Sequence, residues 1–411
     1  MTFAAAPRVG YRDPLRSREF RALFVSQAVT IAGTSVAAVA LTILVYDRTG
    51  SAFLSSLTFA LGFLPYVLGG GLLSGVVDRV RPRRLSNACA AGSTAVAAVM
   101  AVPAVPVAVL LAMLFVLGTL SAIAAGARVS LLRATVPDAA YVPARSLMKL
   151  AGQLAQIGGN AVGGALVLAL GTSGAILVNA ASYAAALALV RFGVRDHPNT
   201  ALPGGTGLLR DSLRGAREIF GRPALARLLL LGWLVPMFSV APEALAAPYV
   251  SAHGGSAQLV GWWLAAIPIG TIVGDVAGVR FLHPSTQRRL VGAVAAAGFV
   301  PYLFFGLDPP IGMALVLLVL SGFCGLWSLG YDGRVRHATP DRLFARTMTL
   351  NSAGLMTLQG AGFALAGAIG GLIGAAGAVA LAGVCGLGVV ALLGFSRGAA
   401  GTSARAPNLS G

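Results

Sequence analysis

Charged side chains are scarce in this chain. Asp, Glu, Lys and Arg make up 10% of its 411 residues, against about 25% in a soluble globular domain. That scarcity excludes an ordinary soluble protein. Lysine occurs once, as Lys149, and no glycine-rich phosphate loop precedes it, so the chain carries no P-loop for driving work with ATP. The three cysteines, Cys89, Cys324 and Cys385, all lie in apolar stretches. None has metal-ligand spacing or an evident pair, and each reads as a small core residue. Histidines are few and unclustered, and no Ser/His/Asp set gathers at one face. Neither an enzyme, a cofactor nor a bound metal is expected.

Apolar runs are what the chain has instead. It is 57% hydrophobic, with mean hydropathy +0.82. A helix needs about 20 mostly apolar residues to cross a bilayer. Stretches of that kind fall at 22–46, 52–77, 86–103, 106–127, 147–170, 174–190, 226–250, 258–279, 290–306, 311–331, 347–371 and 374–395. They must be helices, because the bilayer interior cannot hydrate open backbone groups. The first twenty residues carry four Arg and two acids, unlike a cleaved signal, so the first span is expected to be retained.

The basic residues sort into alternate gaps between these spans. They gather at Arg8–Arg21, Arg79–Arg84, Arg128–Lys149, Arg191–Arg227, Arg280–Arg289, Arg334–Arg346 and Arg397–Arg405, and Arg48 is the exception. Basic residues flanking spans stay on the cytoplasmic side. The expectation is a multi-pass protein of the inner (plasma) membrane with both termini cytoplasmic. The formal net charge of +17 is then topological, not a nucleic-acid surface, and it also favours anionic lipid.

Three charge-free stretches each hold two spans with a turn: near Pro103 and Pro106, at Gly171–Gly174, and around Gly370–Gly371. The longest interruption, 193–222, falls near the midpoint and ends in a short amphipathic segment, Leu208 to Phe220. The parts before and after it echo each other. Arg83-Arg84-Leu85 recurs as Arg288-Arg289-Leu290. Arg133 to Asp138 recurs as Arg336 to Asp341, and Ala144 to Leu147 as Ala345 to Met348. A common order at near-constant offset indicates a parallel repeat of two six-helix halves. The expected division is 1–192, a cytoplasmic linker at 193–222, 223–396 and a tail at 397–411.

Here the chain resembles the major facilitator superfamily. The signature between its second and third spans, G-x-x-x-D-R-x-x-R-R, is echoed by Ser74 to Arg84, with Asp78, Arg79, Arg83 and Arg84. Span 5 is similar to that superfamily's antiporter motif at Gly159, Asn160, Gly163 and Gly164, with Asn160 where proline is usual. Val45 to Ser51, Leu64-Pro65-Tyr66 and Asn179 to Tyr183 resemble the enterobactin-exporter and drug–proton antiporter branch. The resemblance implies an all-α fold of twelve helices in two repeats that work by alternating access. It also implies a cytoplasmic latch at Asp78 and its arginines, and a gate-shaping role for the span-5 motif. His283 aligns with Asp78 in the second half.

Two acids are candidates for proton coupling. Glu243 stands in a charge-free stretch of span 7, between Pro236 and the outer end and directly after Pro242, where the helix is expected to kink. Intramembrane acids default to functional hypotheses. The residue reads either as a carrier in the interior or as a solvated acid at the outer mouth. Asp275 in span 8 reads as a carrier or as an acid neutralised by Arg280 or Arg336. The resemblance places spans 1, 4, 7 and 10 around a central cavity. Its candidate lining is Gln27, Thr30, Ser121, Trp233, Ser239 and Trp327, with no arginine at mid-span. Such a lining suits a neutral or weakly charged amphipathic molecule. The expected function is proton-coupled efflux of a small hydrophobic or amphipathic compound by a monomer, with small-molecule substrate, protons and membrane lipid as partners. Two alternatives stand: a facilitator or importer of a neutral metabolite, and a non-transporting lipid-handling or assembly factor on the same fold.

Overall fold

The computed structural model describes residues 12–68, 80–197 and 217–394. Among them every regular element is helical. Eight stretches are long and apolar enough to cross a membrane. Two are too long to cross once. Asp138–Gly193 has 56 residues and Asp341–Leu393 has 53, roughly 80 Å each if straight. Each is divided by one glycine in the left-handed region, Gly171 at φ 71° and Gly374 at φ 81°, a conformation glycine takes without steric cost. With Ala52–Leu68 and Pro82–Met100 the helices number twelve.

In chain order, α1 is Arg18–Thr49, α2 Ala52–Leu68, α3 Pro82–Met100 and α4 Val107–Thr135. Asp138–Gly193 supplies α5 and α6 on either side of Gly171. Next come α7 Pro223–Ala252, α8 Ala257–Phe281, α9 Pro284–Leu307 and α10 Ile311–Ala338. Asp341–Leu393 supplies α11 and α12 on either side of Gly374. A short helix, Arg12–Arg16, precedes α1. The linker, apart from its two ends, and the tail lie outside the described residues.

Neighbour contacts fix the directions. Along α1 and α5, Gln27 reaches Met148, Ile31 faces Gly152, Ala32 faces Gly159 and Val36 faces Gly163, so the two run parallel. Against α6 the order reverses: Glu19 meets His197, Ala22 meets Gly193 and Thr34 meets Tyr183. Gly171 therefore turns the chain back on itself. In the second half Trp233 faces Gly354, Met237 faces Gly362 and Leu245 faces Gly370, so α7 and α11 are parallel. Then α12 returns along α9, pairing Tyr302 with Gly383 and Phe299 with Gly386.

Two features shift the expected boundaries. The turn placed around Gly370–Gly371 is at Gly374, because Gly370 is held inside α11 against Leu245. The spans expected at 106–127 and 147–170 are longer towards the basic loops: α4 continues to Thr135 and α5 starts at Asp138. Nothing breaks α4 until Pro137, which forces Val136 into extended backbone (φ −128°, ψ 146°). Arg48, at the end opposite the other basic residues, donates to the carbonyls of Val105 (2.9 Å) and Pro103 (2.8 Å). It staples the α3–α4 connection.

The halves meet along two seams, both towards the end away from the basic loops. One joins α5 to α8. A Cβ on Gly164 would lie 2.5 Å from the Ala257 carbonyl oxygen, and one on Gly261 would lie 2.6 Å from that of Asn160. The other joins α2 to α11, where Phe363 stacks on Phe59 and Phe63 at 5.1 and 5.4 Å. Small residues let membrane helices approach until backbones touch. Gly164→Val should therefore lower the melting temperature in detergent, at a cost of about 1–3 kcal/mol typical of overpacking. Gly158→Ala, where an added Cβ meets nothing within 4 Å, should leave it unchanged.

Candidate functional site

Between the halves lies a cavity of ≈ 450 Å³, within the range of small-molecule sites. Its polar lining comes almost wholly from the first half. From α1 come Thr30, Thr34 and Ser35, from α5 Gln156 and Asn160, and from α6 Asn179 and Tyr183. Thr34 and Tyr183 are joined hydroxyl to hydroxyl at 3.3 Å. The apolar wall includes Phe59 and Phe63 of α2, and Leu114 and Leu117 of α4. From the second half come Leu264, Met356 and one carboxylate, Glu243.

The position of Glu243 follows from how α7 is broken. Its pieces are Pro223–Ser239, Ala241–Ala244 and Ala246–Ala252. Pro236 and Pro242 bring no N–H to the ladder. The carbonyl of Pro242 accepts a hydrogen bond from Trp263 Nε1 of α8 at 2.8 Å. The four-residue piece sets Glu243 in the cavity wall, not at the outer mouth.

Arg128 moves from the expected loop into α4. The reading that ended span 4 at 127 left it in a loop. Because α4 runs on to Thr135, Arg128 lies seven residues inside the helix, about 10 Å from its end, and it lines the cavity. Of the residues put forward for the lining, Thr30 and Ser121 are in it. The others are engaged in packing. Gln27 donates to the Met148 carbonyl (3.4 Å), and Trp233 donates to the Asn351 carbonyl (3.1 Å). Ser239 bonds back to Val235 within α7 (2.8 Å). Trp327 stands edge-on to Tyr331 at 5.4 Å between centroids.

The profile of the Major Facilitator Superfamily matches residues 23–331. The chain belongs to that superfamily. An enterobactin exporter EntS of Citrobacter koseri is 28% identical over 197 residues, 48% of this chain and 44% of that protein. A counterpart of the same description from Escherichia coli is 27% identical over 180 residues, 44% of this chain and 41% of that protein. The chain thus matches less than half the length of these curated relatives. Among solved structures, the nucleoside transporter NupG superposes with a TM-score of 0.72 at 13% identity, covering 92% of this chain and 98% of that one. A bacterial homolog of the human lysosomal transporter Spinster, inward-facing and unoccupied, superposes with a TM-score of 0.66 at 17% identity over 95% of each chain. Both likenesses concern the fold. Membership makes the chain a multi-pass membrane protein of a superfamily of transporters.

The superfamily's loop signature is described in part. Asp78 and Arg79 lie outside the described residues. Arg83 donates to the carbonyl of Arg191 in the last turn of α6. Just past α6, Asp196 takes a hydrogen bond from Arg81 at 2.8 Å and faces Arg84 at 3.7 Å. His197 Nε2 meets Glu19 at the start of α1 at 2.7 Å. These residues clasp α1, α3 and α6 together at the basic end. His283 instead caps α9, its ring bonded to Ser285 Oγ at 2.9 Å.

In the superfamily's span-5 motif, Gly159 faces Ala32 and Ser35, Gly163 faces Val36, and Gly164 faces Ala257. Asn160, 4% exposed, donates from Nδ2 to the Leu264 carbonyl at 2.9 Å, a hydrogen bond that joins the two halves. Asp275 has one carboxyl oxygen buried without a hydrogen-bond partner. Charges acting on it include Lys149 of α5 and Asp332 of α10.

Replacing Asn160 by Leu should destabilise the protein modestly, by about 0.6 kcal/mol, the average for interhelical side-chain hydrogen bonds in membranes. Thermal unfolding in detergent measures it. A pH dependence follows from Asp196. The Arg81 hydrogen bond, with the Arg84 and Arg83 charges behind it, holds this carboxyl below its ordinary value of 3.8. A depressed carboxylate stabilises above its unfolded value and loses that contribution as pH falls through the lowered one. Amide exchange at 194–197 should thus be insensitive to Asp196 titration between pH 5 and 8, and should quicken below about 3.8 or in Asp196→Asn.

Proposed function

We propose that the protein exports a small hydrophobic or amphipathic compound by alternating access, driven by protons through Glu243. The observation that carries this reading is the cavity itself. It is sealed at one end by the α5–α8 and α2–α11 seams, and a carboxylate stands in its wall. The basic face is the cytoplasmic one, where α1 starts and α12 ends. Residues 1–192 and 223–396 are the two moving halves, and 193–222 joins them. Sealed away from the basic loops, the cavity faces the side from which an exporter loads.

Glu243 suits the coupling role by its surroundings. Of the two acids put forward, it is the one in the cavity wall. The relatives named as enterobactin exporters support outward transport, and the mixed polar and apolar walls support an amphipathic cargo.

The test is uptake of fluorescent amphipathic dyes, of either charge, into everted vesicles with an imposed proton gradient. Gradient-driven uptake by the wild type should fall to the level of empty vesicles in Glu243→Gln, with downhill counterflow retained. Uptake unaffected by that substitution, but abolished by Asp275→Asn, would move the carrier to α8. Dye movement in the wild type that ignores the gradient would overturn proton coupling.

A further inference from the structure

The register of the α5–α8 seam extends beyond the contact itself. Gly164 faces Ala257 and Gln258, Gly261 faces Asn160, and Asn160 Nδ2 donates to the Leu264 carbonyl at 2.9 Å. The two helices are therefore antiparallel, and each step along α5 towards the basic end is matched by a step along α8 in the same direction. From Asn160 to Lys149 is eleven residues, and from Leu264 to Asp275 is also eleven. Eleven residues make almost three whole turns, about 16 Å of rise, so both positions return to the face that bears the seam. The chain's single lysine and an acid of the other half thus stand opposite each other at one depth.

The charges agree with the register. Lys149 acts electrostatically on Asp275 of α8 and on Asp332 of α10, and the two acids act on each other. Lys149 and Asp332 are exposed. One oxygen of Asp275 is buried without a hydrogen-bond partner, so the ammonium does not reach it here. Resting on the alternating-access reading above, we infer that Lys149 is the pin of an inner gate and that Asp275, with Asp332 beside it, is the socket. With the outer seams closed, pin and socket stand apart and the way in from the basic face is open. When the outer end opens and the inner ends close, Lys149 enters between the two acids, and the ion pair shuts that way.

The travel needed is small. Asp275 is fourteen residues from Gly261, about 21 Å, so a tilt of roughly 10° about the seam moves it by about 4 Å. Lysine suits a contact that is made and broken, because its ammonium is a compact charge on a flexible four-carbon stem, whereas an arginine fork is rigid. Two neighbouring carboxylates repel, and a cation between them offsets that repulsion. The pair is weak in the water of an open vestibule and strengthens as closure expels that water. The nearby arginine of α10 is engaged elsewhere: Arg334 donates to the backbone carbonyls of Arg288 and Arg289.

The experiment reads the outward-open population without cargo or gradient. A cysteine in the cavity wall, Gln156→Cys, is labelled by a membrane-impermeant maleimide added to right-side-out vesicles. Its labelling rate is taken above that of the parent, which carries the native Cys89, Cys324 and Cys385. That rate scales with the fraction of molecules open to the outside. Lys149→Gln should lower it several-fold, Asp275→Asn likewise, and the two together little further than Lys149→Gln alone, the mark of two groups that act as a unit. Lys149→Arg should keep part of the rate. The exchanged pair, Lys149→Asp with Asp275→Lys, should recover most of it, which neither a misfolded variant nor a carboxyl acting alone as proton carrier would do. Single substitutions that leave the rate unchanged, or losses that add in the double variant and persist in the exchanged pair, would overturn the gate and leave the transport reading standing. Absence of labelling from outside in the Gln156→Cys parent, while everted vesicles label readily, would overturn the alternating-access reading and this inference with it.

Discussion

The contact between the backbones of α5 and α8 is what the rest of the architecture hangs on. Helices already in lipid gain little from hiding apolar surface against one another, so their association depends on close van der Waals fit and on hydrogen bonds. Gly164 and Gly261 remove the side chains that would keep the two backbones apart, and Asn160 adds a hydrogen bond across the junction to Leu264. Together with the phenylalanine stack between α2 and α11, this seals one end of the space between the halves. The cavity exists because the contact is confined to that end.

Polar residues in the bundle fall into two groups with different physical roles. Some are satisfied within the bundle. Thr42 and Ser55, both fully buried, bond to each other at 2.8 Å, and Ser182 bonds to its own turn at Asn179. An unpaired polar group at that depth would cost several kcal/mol. Others, including Thr30 and Gln156, face the cavity, where water or a cargo can serve them. Nearly all of the second kind belong to the first half. The repeat in the sequence is therefore a repeat of scaffold and not of chemistry: one half supplies a hydrogen-bonding wall, and the other supplies a single acid.

Much of the scaffold could be read from the chain. Runs of apolar residues, arginines in alternate gaps and a glycine turn at Gly171 report constraints that act locally, through bilayer thickness, topology and φ. The corresponding turn at Gly374 was hidden, since Gly370 and Gly371 offer the same local signal and only packing against Leu245 tells them apart. Arg128 was misplaced because charge was taken as the end of a span, whereas the helix ends where Pro137 compels it to. Cavity lining was the least legible feature. Trp233 and Trp327 look from sequence like cargo contacts, but which face of a helix meets the cavity depends on its rotation against neighbours. Those indoles turned out to fill gaps inside the second half. Position along α7 left Glu243 ambiguous for a related reason: its place in the wall follows from a broken helix and from the Trp263 bond that stabilises the break.

For the proposed rocking of the halves, the seam would be a fulcrum set far from the middle of the beam. From Gly261 to the basic end of α8 at Phe281 is twenty residues, about 30 Å of helix. The opposite end, at Ala257, is only four residues away. A tilt of roughly 10° about this point carries the long arm through about 5 Å, by the same helix rise, and barely moves the short one. On the proposed alternating-access motion, arms in that five-to-one ratio would turn a shift of about 1 Å at the short end into about 5 Å at the far one. On that motion, the bulk tolerated at Gly164 and Gly261 would bear on the aperture at the far end of the molecule.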